Sequence, residues 1–180
     1  MYEDQLKGGL RFPLHKLIKD ILGHWEISLA QLAPNAFRQI CGFIACCRFL
    51  GFSPNLDLFR HFFLIRVISK NSGQFYFASR PRVAHLVGSG PSSIKHWKKK
   101  FFFVDLKQVG VSKPWNYAPN LPNDRPEISE QNARKIQHLS GLSGPLDIEH
   151  LSEIILSDAK ISSAPLPKSY NAKGNFLLIS

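Results

Sequence analysis

Between Lys95 and Lys100 the chain sets four lysines and a tryptophan within six residues, Lys95-His96-Trp97-Lys98-Lys99-Lys100. Ammonium groups displace counterions from a phosphate backbone, and an exposed indole stacks on a base. Together they describe a surface for single-stranded nucleic acid. Arg66, Arg80 and Arg82 lie in the same stretch, which runs from Asp57 to Asp105 without an acidic residue. The candidate nucleic-acid-binding residues are therefore Arg66, Arg80, Arg82, Lys95, Trp97, Lys98, Lys99 and Lys100. A second reading makes Trp97 a buried anchor beneath a sheet, with the lysines as its solvated rim; a third makes the run a nuclear-import patch. The first two part on whether the indole is exposed beside the lysines.

Other chemistries find no support in the residue types. A DNA-cutting site needs about three carboxylates gathered around two metal ions, and Asp20, Asp57 and Asp105 stand far apart as caps or solvated charges. Cys46 and Cys47 are neighbours, so on a helix they point about 100° apart. With Cys41 they read as small buried apolar residues rather than zinc ligands. The histidines, from His15 to His150, lack zinc-type pairing. Gly88 to Ser93 looks like a phosphate cradle but lacks the Gly-Lys-Ser/Thr ending, so it reads as a turn in which Ser92 or Ser93 caps a short helix carrying Trp97. Neither serine has a recognisable His and acid partner for nucleophilic catalysis. The expectation is a non-enzymatic protein with no catalytic residue, metal, cofactor or small-molecule substrate.

Bulk composition narrows the class. The 180 residues carry 23 Lys and Arg against 13 Asp and Glu, a net of +10, with 44% hydrophobic and 12% aromatic residues. That is too apolar for a disordered chain. The whole charge excess falls in residues 1–104, and the remainder is balanced. Such an excess calls for a polyanionic partner or a membrane surface. The longest apolar run, Ile40 to Leu50, is broken by Arg48 and falls far short of the roughly 20 residues that span a bilayer. Met1-Tyr2-Glu3-Asp4 opens no apolar signal core. With three clustered cysteines unsuited to a disulfide framework, the expected setting is intracellular, nucleus or cytoplasm, not secreted and not membrane-bound.

The elements that must position these residues follow from hydrophobic period. Leu14, Leu17, Ile18, Ile21, Leu22 and Trp25 predict an amphipathic helix ending near Gly23, with Pro13 in its first turn. A second, central helix is expected after Pro34, capped by Asn35 and stopping at Gly51. A third starts at Ser53-Pro54 and carries Leu56, Leu58, Phe59 and Phe62. Phe63–Ile68 and Gln74–Ala78 then predict a hairpin across Asn71-Ser72-Gly73. Val83–Val87 and Phe101–Val104 would extend it. The fold class is α+β: three N-terminal helices packed on a small antiparallel sheet of three or four strands, then a Pro-rich linker and two C-terminal helices. The corresponding divisions are 6–106, a linker at 107–127, a helical segment at 128–160 and a disordered tail at 161–180. The two C-terminal helices are expected from Ile128-Ser129 and from Leu146 to Ile155.

Gly9-Leu10-Arg11-Phe12-Pro13-Leu14-His15, Leu32-Ala33-Pro34-Asn35-Ala36-Phe37 and Pro54-Asn55-Leu56-Asp57-Leu58-Phe59 resemble segments of the plant gypsy-type transposon protein family, also described as transposase-like. The most specific stretch is Gly90-Pro91-Ser92-Ser93-Ile94-Lys95-His96-Trp97-Lys98-Lys99-Lys100-Phe101-Phe102-Phe103-Val104, similar to the family signature Pro-Ser-Ser-Asn-Lys-Gly-Trp-Lys-x-x-Phe-Phe-Phe-Val. Ile94 and His96 stand where that pattern has Asn and Gly. The resemblance covers roughly residues 2–106 and implies kinship with retroelement-derived proteins, with no established activity attached. Family members often carry long helical or coiled-coil regions downstream, so it also implies a shortened or decayed copy.

The reading that follows is a retroelement-derived, gag-like domain whose basic face binds nucleic acid with little sequence preference. The alternative is an assembly module in which Phe59, Phe62, Phe63 and the C-terminal helices bury against another chain, self-association included, while the charge serves only solubility.

Overall fold

The computed structural model describes residues 1–70, 72–88, 96–105, 115–116, 119–146 and 152–164. Helices α1 (Glu3–Lys7), α2 (Lys16–His24), α3 (Pro34–Phe49) and α4 (Leu56–Phe62) precede a hairpin of β1 (Phe63–Val67) and β2 (Phe75–Ser79). Helices α5 (Glu130–Ser140) and α6 (Glu153–Asp158) follow. The class is α+β.

Helix α3 is central because nearly its whole circumference is apolar. Ala36, Phe37, Ile40, Cys41, Phe43, Ile44, Ala45, Cys46 and Cys47 are all buried. Its N-cap is Ala33, not Asn35, with Pro34 in the first helical position, where the missing N–H costs nothing. It ends as expected before Gly51, whose φ of +78° favours glycine. Pro13 lies outside α2. That helix starts three residues later, capped by the His15 ring, whose Nδ1 accepts from the Leu17 N–H at 3.1 Å. Asn55 caps α4 by accepting from Leu58 N–H at 2.9 Å. Helix α1 was not foreseen. It docks on α3 through Gly8, where a Cβ would lie 2.5 Å from the Pro34 carbonyl oxygen, so only glycine permits the approach.

Pairing in the hairpin runs from Phe63↔Ser79 to Val67↔Phe75. Its inner face and α4 bring together an aromatic cluster: Phe59 stacks on Phe63 at 4.7 Å and meets Phe77 edge-on at 4.9 Å, and Phe43 closes on Phe59 at 5.4 Å. Truncating one such ring to alanine costs about 3–5 kcal/mol. This corrects the alternative reading above, because Phe59, Phe62 and Phe63 are 0–1% exposed and belong to this chain's own core. Leu139 of α5 and Ile155 and Leu156 of α6 join the same core.

Among the described residues the sheet has two strands rather than three or four. Phe101 makes only an isolated bridge to Tyr2, and Val87 one to Leu146. The reason lies at the outer edge of β1. Asn123 Oδ1 accepts from Ile65 N–H at 3.0 Å and its Nδ2 donates to Ile65 C=O at 3.1 Å, so a side-chain amide takes the place of a neighbouring strand. The described part of 107–127, expected as a linker or wandering loop, packs on the helices and hairpin: Trp25 Nε1 donates to Pro122 C=O at 3.1 Å, and Gln31 Nε2 joins Gly73 C=O to Asn116 C=O. Residues 106–114, 117–118 and 165–180 lie outside the described residues, as do the start of the last predicted helix and most of the predicted tail. Among the described residues no helix is long and apolar enough to cross a membrane.

Candidate nucleic-acid interface

Trp97, Lys98 and Lys99 form a single 3-10 turn, and residues 1–3 hold it in place. Glu3 N–H donates to Lys100 C=O at 3.1 Å, and Phe102 N–H donates to Met1 C=O at 3.0 Å. The Met1 ammonium donates to Phe102 C=O at 3.1 Å, and its partial burial lowers its pKa. These long-range bonds form a two-rung antiparallel clasp around the Tyr2–Phe101 bridge. His96 leads in with φ +63° and ψ 15°. It is the position where the resembled signature has glycine, and a side chain there costs about 1 kcal/mol.

Trp97 is neither free nor sunk under the hairpin. Its ring is half-buried, edge-on to Tyr2 at 4.6 Å and 80°, with Lys98 Nζ 5.5 Å from its centroid. Lys98, Lys99 and Lys100 are exposed. Lys100 Nζ lies 3.6 Å from a Glu3 carboxylate oxygen; among the described residues Lys98 and Lys99 form no ion pair. Glu3 is shared with Lys7 at 2.9 Å, and the two ammonium groups, Lys7 foremost, hold its carboxyl below the usual carboxylate range. A shallow depression of about 380 Å³ opens between α1 and this turn, lined by Glu3, Leu6, Lys99, Lys100, Phe101 and Phe102.

The arginines belong elsewhere. Arg66 is exposed on β1, opposite Tyr76, and Arg82 is exposed in the turn after β2 with φ +62°. Arg80 is 7% exposed and committed: its Nε donates to Arg60 C=O at 2.7 Å, and Nη2 to Asn123 C=O at 2.7 Å and Asp124 C=O at 3.2 Å. Burial, then the positive charges of Arg125 and Arg60, lowers its pKa. Its guanidinium ties the 119–125 segment to the hairpin and offers little to a ligand, which corrects its place among the candidate contacts. Lys95 lies outside the described residues, as do Ser92 and Ser93.

Sequence reasoning missed two rings. Phe101 and Phe103, expected as strand residues, are 63% and 94% exposed, with centroids 6.0 Å apart and planes at 88°. A run of three phenylalanines carries a strong strand signal, and only the long-range clasp with residues 1–3 shows that among the described residues it pairs with the N-terminus rather than joining the hairpin. The cysteines are buried, and desolvation pushes Cys41 and Cys46 up to about 12. Among the described residues no three His, Cys, Asp or Glu side chains gather as metal ligands.

Residues 1–67 match the family model described as "Putative gypsy type transposon". The matched segment ends with β1, short of the lysine turn. Over 121 residues, 66% of this chain, the sequence is 26% identical to "Meiosis-specific protein ASY2" of Arabidopsis thaliana. That alignment spans 8% of the relative's length. No solved structure matches the chain.

Proposed function

We propose that this chain is a non-enzymatic, transposon-derived domain, gag-like in role, that binds nucleic acid with little sequence preference through Lys98, Lys99 and Lys100. One observation carries the reading: three successive lysines stand exposed on a turn clasped to the N-terminal residues, and of these, among the described residues, only Lys100 meets a carboxylate, that of Glu3. Ammonium groups carried on a backbone held by the N-terminal residues release phosphate counterions at a lower ordering cost than the same groups on an untied loop. Arg66 and Arg82 add exposed charge on the hairpin side. The family match to a transposon protein and the likeness to a meiosis-specific protein support a setting near chromosomal nucleic acid, and hence the nucleus.

The test is binding of mixed-sequence RNA and single-stranded DNA at low salt. The reading expects micromolar or tighter association that weakens as salt rises, independent of sequence. Absence of binding at low salt overturns it.

A further inference from the structure

We propose that Phe101 and Phe103 form a base-stacking platform beside the lysine turn, so that the bound form is single-stranded nucleic acid with its bases splayed onto the two rings. The proposal rests on the nucleic-acid reading above and goes further by assigning the ligand's strandedness and the side chains that read it.

Phenylalanines exposed by 63% and 94% forfeit burial that the same residues obtain elsewhere in this chain, where Phe37, Phe43, Phe59, Phe62 and Phe63 are at most 1% exposed. Phe101 adjoins the cationic turn: Lys100 precedes it directly, and Lys99, Lys100 and Phe101 line the same depression, together with Glu3. That charge suits a polyanion. Base stacking on an aromatic ring also tolerates any base, which fits binding with little sequence preference. Planes at 88° and a 6.0 Å separation let the rings face two directions, so successive nucleotides can each find a ring while their phosphates track the lysines. Trp97 serves the platform differently. With Tyr2 in a T-shaped contact at 4.6 Å and Lys98 Nζ 5.5 Å from its centroid, it holds the turn rather than receiving a base.

The experiment compares, at one low salt concentration, an oligodeoxynucleotide of about 16 nucleotides, an abasic strand with the same phosphates, and a duplex of the same length. Binding is followed by fluorescence anisotropy. The wild-type chain is expected to bind the base-bearing strand at least about tenfold more tightly than the abasic one. Combining Phe101→Ala with Phe103→Ala should bring the two strands level while leaving abasic affinity nearly unchanged. Phe103→Trp should retain the preference and show quenching of the new indole on binding. Both phenylalanines are exposed, so an unchanged unfolding midpoint is expected and separates binding from folding. Equal wild-type affinity for the base-bearing and abasic strands overturns the platform and leaves the electrostatic reading intact. So does a preference that survives the double substitution but disappears in Trp97→Ala. A dimer that dissociates on the double substitution would assign the rings to self-association and overturn it too. Failure to bind any of the three strands overturns both proposals.

Discussion

Asn123 pairs with Ile65 through both ends of its amide, accepting from the backbone N–H at 3.0 Å and donating to the backbone C=O at 3.1 Å. One side chain thereby does for β1 what another strand would do for one residue pair, and it docks a Pro-rich segment against the hairpin. Asn123→Ala leaves the Ile65 backbone groups unpaired at a covered edge and should destabilise the protein by about 1–3 kcal/mol. Denaturant titration reads this directly. An unchanged midpoint would mean that the 119–127 segment does not hold the sheet.

Arg80 makes the neighbouring dock. Lysine cannot reproduce a planar fork that reaches Arg60, Asn123 and Asp124 carbonyls at once. Arg80→Lys should therefore cost roughly 2 kcal/mol or more, with no change in the salt dependence of nucleic-acid binding. The opposite result, full stability with altered binding, would return Arg80 to the interface.

Much of the helical half was legible in the sequence. The three- and four-residue steps of Leu17, Ile18, Ile21 and Leu22 lie within a single element, so local pattern reveals them, whereas the third helix, expected from Ser53-Pro54, starts at Leu56 under an Asn55 cap. What escaped depends on contacts distant in sequence. Tyr2 against Trp97 and Asn123 against Ile65 cannot be read from period or propensity. Without the first, Phe101–Val104 looks like a strand; without the second, prolines look like a linker. The lysine run was visible at once, but its accompanying exposed rings were not.

Burial of the His15 ring lowers its pKa from 6.5, with Asp20 opposing and Lys16 adding to the shift. His24 and His61 shift the same way, also chiefly by burial. The unfolded chain thus takes up these protons first. The stabilisation is fully present above about pH 6.5 and is lost as pH falls through the lower folded values. A proton on His15 Nδ1 would also remove the acceptor of the Leu17 N–H. His15→Asn keeps a cap without a titrating ring, so urea midpoints measured between about pH 7 and pH 5 should fall less steeply than in wild type. Identical slopes would show that the cap contributes nothing to acid sensitivity.

The thiols offer a test of the core. With Cys41 and Cys46 pushed up to about 12 and Cys47 also raised by burial, thiolate is scarce and shielded at neutral pH. Iodoacetamide should label none of the three in the native protein and all of them in denaturant. Rapid labelling of the native chain would contradict the placement of α3 at the centre.

The most direct measure of the central claim is the slope of log affinity against log salt for single-stranded DNA. Each neutralised phosphate contributes about 0.7 to that slope. Replacing Lys98, Lys99 and Lys100 together with alanine should flatten it by about 2. Parallel lines for wild type and variant would show that the exposed lysine turn does not meet the phosphates, and would contradict the account.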